Sequence, residues 1–309
     1  MKLRFTAFFL CASLCALAPQ AARAQEAAAA YAVADASTGH ILSAGHPNRK
    51  VQIASLAKIA TAVVVLDWIK VGNQNPANLA TIPPGATVGV ENPIGFQPGD
   101  QVSLRDLLYA MLIQSDNIAA TTLADHVGRD LQRSAQSGVK PVDLFIAQMN
   151  ALARNLGMTH TRFLNPSGLD SVEAPYSTAR DVVLLTRAAL QRSAFRFYVS
   201  QKERRITRSL PGGKKAEYNL VNTNELLGKD SIDGVKTGQS ARAGGCVVLS
   251  AARSLESIQN PDGSYTVTPR RLIVVVLGSR DRFNDGLQLL NSGWSLYDQW
   301  TAQGRPLEK

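Results

Sequence analysis

Apolar and polar residues alternate over positions 31–45, YAVADASTGHILSAG, and the alternation breaks at Thr38-Gly39, which predicts a β-hairpin. From Ser55 to about Lys70 the pattern becomes an almost unbroken apolar run, which predicts a strongly apolar helix ending near Gly72. Positions 92–101, NPIGFQPGDQ, read as loop. Ser103-Leu-Arg-Asp106 has the form of an N-terminal cap for a helix running to about Ile113. Helical periodicity returns over Ile118–Val127, with a stop expected at Gly128, and over Val142–Leu156, with a stop at Gly157. Ser177 is expected to cap a helix over about 178–191.

The pattern then changes. Positions 231–238, 244–253 and 270–279 are rich in β-branched residues and bounded by glycines, which predicts buried strands, with a turn at 260–263. Phe283–Trp300 is amphipathic and predicts a last helix. Strands, a block of helices, strands and a helix give an α+β fold. The expected architecture is an antiparallel sheet flanked by helices, with an all-helical lobe of about residues 83–190 inserted.

The ends add a location. Lys2 and Arg4, the short apolar run Phe5–Leu17 and the small-x-small site Ala22-Arg23-Ala24 form a secretory leader, residues 1–24. Residues 25–300 are then the mature domain and 301–309 a tail. With the sequence ending soon after Trp300, no further domain or anchor helix is expected, and no other stretch is apolar enough to span a membrane. An exported, periplasmic, soluble protein is expected. Cys11 and Cys15 fall in the leader, so Cys246 has no partner for a disulfide and reads as core.

The chain has 309 residues, 45% hydrophobic and 18% charged, ample for a sizeable core. Its formal charge of +9 includes three leader cations. Nucleic acid is not expected as a partner, because the basic residues are scattered except at Lys202–Arg208 and Lys214-Lys215. Mild attraction to an anionic envelope polymer and a plain solvated surface both fit. His40, His46, His126 and His160 show no metal spacing, and no metal or cofactor is expected. His40 reads as strand surface and His126 as a helix end.

Within the apolar run, Lys58 follows Ser55 by one helical turn, so the two share a face. An ammonium among such neighbours loses hydration and its neutral form becomes accessible, which places a base beside a nucleophile. Ser-x-x-Lys alone is weak: Ser137-Gly-Val-Lys140 is a second copy, in a polar loop where nothing would orient the lysine. Two further triplets strengthen the first copy. Ser115-Asp-Asn117 falls in a break between helices, and Lys236-Thr-Gly238 on a predicted buried strand. The three together, in this order and context, are a signature of penicillin-recognising serine enzymes.

At this point the chain resembles the serine D-alanyl-D-alanine carboxypeptidases, or low-molecular-mass penicillin-binding proteins, similar in fold to the class A β-lactamases. The resemblance extends over about residues 28–298 and includes NPSGLD (165–170), STARD (177–181), NTNELL (222–227) and AGGC (243–246). It implies Ser55 as nucleophile toward the bond between two D-alanines and neutral Lys58 as its base. Ser115 would relay a proton to the leaving amine, and Asn117 would hold Lys58 and the substrate amide. The strand Lys236, Thr237, Gly238, Gln239 would bind substrate: Lys236 by its charge, Thr237 through the substrate carboxylate, and Gln239 by a backbone N–H that completes an oxyanion hole with that of Ser55. Arg282 matches a carboxylate-binding arginine, with a surface salt bridge as the alternative.

The implied partners are peptidoglycan stem peptides and, as acylating inhibitors, β-lactams. A DD-endopeptidase cutting D-alanyl cross-links and a catalytically silent binding module are the alternative functions. Departures from the family pattern are Ala57 for threonine, Ile53 for proline, Tyr176 for histidine, and Gln239 where an aromatic residue, histidine or threonine is usual. A β-lactamase would carry Glu-x-x-Leu-Asn, but Thr161 stands three residues before Leu164-Asn165.

Overall fold

The computed structural model describes residues 28–136, 138–260 and 262–307. The expected leader with Cys11 and Cys15, and Ser137 of the second Ser-x-x-Lys, lie outside the described residues. The alternating start folds as the expected hairpin, β1 (Ala30–Asp35) and β2 (Ile41–Gly45), followed by a 3-10 turn at Ala54–Ala57 and α1 (Lys58–Val71). Next come β3 (Leu79–Thr81), β4 (Gln101–Ser103), α2 (Leu104–Ile113), α3 (Asn117–Ala135), α4 (Pro141–Asn155), α5 (Ala179–Leu190) and α6 (Ser193–Val199). The chain closes with β5 (Glu203–Ser209), β6 (Lys215–Val221), β7 (Ile232–Ser240), β8 (Gly244–Gln259), β9 (Tyr265–Ser279) and α7 (Arg282–Ala302).

The main sheet is antiparallel, in the order β2-β1-β9-β8-β7. Both of its faces are covered, which explains why β9 reads as a continuous apolar run. Successive side chains leave opposite faces of a strand. Ile273, Val275 and Leu277 join the core under α1 to α5, whereas Leu272, Val274 and Val276 pack with Leu289, Trp294 and Tyr297 of α7. Helix α1 is buried along Ile59–Val63, as an all-round apolar helix must be. The expectation of an antiparallel sheet flanked by helices holds.

A second sheet, in the order β3-β4-β5-β6, was not announced by the pattern. Strands β3 and β4 have three residues each, too short for alternation to register, and β4 falls inside the stretch 83–190. The basic stretch 202–208 and Lys215 lie on its β5–β6 hairpin.

Several local expectations change. Ser103 does cap α2, accepting from the Asp106 N–H at 3.0 Å. Gly128 does not stop α3. It sits where the helix crosses the start of α4, and a Cβ there would lie 2.0 Å from the Pro141 carbonyl oxygen. The cap of α5 is Thr178, which accepts from the Asp181 N–H, while Ser177 exchanges backbone bonds with Val51. His126 lies inside α3, edge-on to Trp68 with ring centroids 5.8 Å apart, and His40 stacks on Trp300 at 4.7 Å. Cys246 is fully buried. Among the described residues no helix is long and apolar enough to cross a membrane.

Candidate active site

Three segments converge on the start of α1. The first is the turn that carries Ser55. Ala54 has φ 45°, a left-handed conformation that a non-glycine residue rarely adopts, and it turns the chain so that the next residue is partly exposed at the head of a buried helix. Ser55 lies in the first turn, where backbone N–H groups have no intrahelical acceptor.

Lys58 is fully buried. Its Nζ lies 2.8 Å from Ser55 Oγ, 2.7 Å from Asn117 Oδ1 and 2.8 Å from the Ser167 carbonyl oxygen. Burial pushes its pKa down to about 7, against the pull of the Asp116 charge, which raises it. The geometry makes the neutral form useful. Two fixed acceptors, Asn117 Oδ1 and Ser167 O, take the two N–H bonds of the amine, so the lone pair is directed at the Ser55 hydroxyl.

The second segment is the break between α2 and α3. Ser115 has φ 65°, and the Asp116 N–H returns to the Ala110 carbonyl at 3.0 Å, which reverses the chain. Asp116 then caps α3, its Oδ1 accepting from the Ala119 N–H at 2.7 Å. Its Oδ2 is buried without a partner, and burial raises its pKa to about 6. The cap fixes the first residue of α3, Asn117, against Lys58. The Ser115 side chain, next to the cap residue in the chain, makes no hydrogen bond among the described residues.

The third segment is β7, the edge strand of the main sheet. At Gly238 a Cβ would lie 3.1 Å from both Ser55 N and Ile53 O, so a larger residue would press the strand a few tenths of an ångström away from the serine. Lys236 is buried and, among the described residues, its Nζ donates only to Thr237 O, at 3.0 Å. Burial, then the charges of Lys58 and Arg282, hold its pKa well below the usual lysine value. Thr237 Oγ1 lies 2.6 Å from Thr223 Oγ1. Gln239 is exposed, and Arg282 Nη1 donates to Gly238 O at 3.1 Å and to Gln239 Oε1 at 2.8 Å. Arg282 therefore sits at the end of β7 on neutral acceptors, not in a surface salt bridge.

The structure thus joins Ser55, Lys58 and Asn117 directly, and sets Lys236, Thr237, Gly238, Gln239 and Arg282 along the facing strand. Sequence reasoning missed the Ser167 carbonyl, Thr223 and Asp116. Ser167 is aimed by Asn165, whose Oδ1 accepts from the N–H groups of Ser167, Gly168 and Leu169 at 3.2, 2.7 and 3.1 Å. Gly168 has φ 81°, and a Cβ there would lie 1.9 Å from Ala54 O. The signal was present as the stretch NPSGLD, which marks a tight turn but not a carbonyl contact.

The chain is similar to known proteins in sequence and in fold. Residues 17–259 match the family model described as D-alanyl-D-alanine carboxypeptidase, peptidase family S11. The chain is 32% identical over 289 residues to the D-alanyl-D-alanine carboxypeptidase DacC of Escherichia coli K12, covering 89% of this chain and 63% of that protein. It is also 32% identical over 239 residues to the D-alanyl-D-alanine endopeptidase of the same organism, covering 76% of this chain and 70% of that one. The crystal structure of the Streptomyces K15 DD-transpeptidase superposes with a TM-score of 0.74 at 30% identity, over 87% of this chain and 97% of that one. The chain spans less than two thirds of the length of DacC. With the family model matching most of the sequence, the chain belongs to the D-alanyl-D-alanine carboxypeptidase family of serine peptidases.

Proposed function

We propose that residues 25–300 form an exported serine DD-carboxypeptidase domain that removes the terminal D-alanine from peptidoglycan stem pentapeptides through an acyl-enzyme on Ser55. The observation that carries this reading is Lys58: dehydrated, held by two fixed acceptors, and with its nitrogen 2.8 Å from Ser55 Oγ. Neutral Lys58 takes the Ser55 proton as Oγ bonds to the scissile carbonyl carbon. The N–H groups of Ser55 and Gln239 receive the oxyanion. The C–N bond breaks, the leaving amine of D-alanine receives a proton through Ser115, and water later hydrolyses the ester. Thr237, Lys236 and Arg282 receive the carboxylate of the leaving residue, and the free edge of β7 pairs with the extended peptide. Export rests on the leader pattern of residues 1–24 and puts the enzyme in the periplasm. β-Lactams acylate the same serine.

A second reading, a DD-endopeptidase that cuts D-alanyl cross-links, is favoured by the equal identity to a relative named as an endopeptidase. One set of incubations separates the readings. Labelled penicillin is expected on Ser55 alone, as an adduct that lasts minutes or longer, because Thr161 stands where a β-lactamase has its glutamate. Label elsewhere, or none, defeats the mechanism. A pentapeptide monomer is expected to release D-alanine, and loss of cross-linked dimers without such release selects the endopeptidase.

A further inference from the structure

Gln239 departs from the family pattern, and its side chain has a task that its backbone role does not explain. Arg282 opens α7 beside the end of β7, stacked over the Phe283 ring at 4.9 Å. Its Nη1 has two acceptors, the Gly238 carbonyl and the Gln239 carboxamide, both neutral. Its Nε is buried with no acceptor among the described residues. The charge of this guanidinium is one of the causes that depress Lys236, after burial and the charge of Lys58. The partner that best matches its planar fork is a carboxylate, since hydrogen bonds between ionised groups are about twice as strong as neutral ones. The Gln239 oxygen, 2.8 Å away, is a neutral substitute for one carboxylate oxygen. Thr237 and Gln239, two residues apart on β7, project from the same face of the strand.

We propose that Gln239 is a specificity-determining residue: its carboxamide occupies the carboxylate position on Arg282, an incoming carboxylate must displace it, and the site's preference for substrates ending in a free carboxylate is thereby reduced. The proposal rests on the reading of Ser55 as an acylated nucleophile.

The test compares benzylpenicillin with its methyl ester, which lacks the anionic carboxylate. The readout is the ratio of their second-order acylation rate constants. Gln239→Ala is expected to raise this ratio about three- to tenfold, the size of one net hydrogen bond. Gln239→Glu is expected to lower it below wild type by about tenfold or more, because the new carboxylate pairs with the guanidinium. In an Arg282→Ala background, Gln239→Ala is expected to leave the ratio unchanged. An unchanged or lowered ratio in Gln239→Ala overturns the proposal, as does the same rise without Arg282. The ratio is also read from equilibrium binding of the two compounds to Ser55→Ala, which needs no acylation. Absence of label on Ser55 would therefore remove the proposed function while the binding ratio still decides the role of Gln239.

Discussion

The carboxylate that acts on Lys58 is Asp116, and Asp116 has two separable roles. Its Oδ1 caps α3, and its charge raises the pKa of a lysine that burial pushes to about 7. Asparagine is as good an N-cap as aspartate, so Asp116→Asn keeps the hydrogen bond and removes only the charge. Without that charge Lys58 gives up its proton at lower pH. The acid limb of the acylation rate is therefore expected to move down by about one pH unit, equivalent to ~1.4 kcal/mol. The comparison is acylation of Ser55 by labelled penicillin from pH 5 to 9 in both proteins. A limb that stays in place shows that Asp116 acts only as a cap. In the wild type the limb belongs to the pair, since Asp116 itself is raised to about 6.

At the scale of elements, the site depends on loops more than on helices or strands. The spacing of Ser55 and Lys58 was legible because a helix puts residues three apart on one face, and the triplets at 115–117 and 236–238 because their side-chain types form a recognisable pattern. The Ser167 carbonyl was not legible, since any residue has one and only the fold of the turn aims it. Asp116 was not legible either, as it stands between two residues with assigned roles and works through a backbone N–H. The β3-β4-β5-β6 sheet escaped because β3 and β4 have three residues each and the seven-residue β5 and β6 bury only one residue each, so neither pair shows a buried apolar face. The turn at Asn165–Leu169 has a testable tolerance. Gly168→Ala sets a Cβ against Ala54 O in a left-handed conformation, so the turn must retreat and take the Ser167 carbonyl from Lys58. Acylation is expected to slow by about tenfold or more, with the acid limb displaced, since a 1.4 kcal/mol change is tenfold. A rate within twofold of wild type would show that the carbonyl does not orient the amine.

At the scale of the whole molecule, the buried lysines tie folding to proton release. An unfolded chain carries Lys58 with its ordinary pKa of 10.5, and the folded one with a value of about 7. Between those values the unfolded state binds the extra proton, so stability rises with pH across that window, by at most about 1.4 kcal/mol per unit from this residue. Below about pH 7 both states are protonated and the contribution is constant at its least favourable. Lys236, depressed in the same direction, adds the same sign. Replacing Lys58 by methionine, similar in length and without charge, is expected to raise Tm at pH 7 and to flatten its rise toward pH 9. Parallel Tm curves for the two proteins would refute this linkage. The lysine that the proposed mechanism uses as its base is thus a standing load on the native state, heaviest in acid, where protonated lysine must be buried. Acidification is expected to silence the site by protonating Lys58 and to loosen the fold through the same atom.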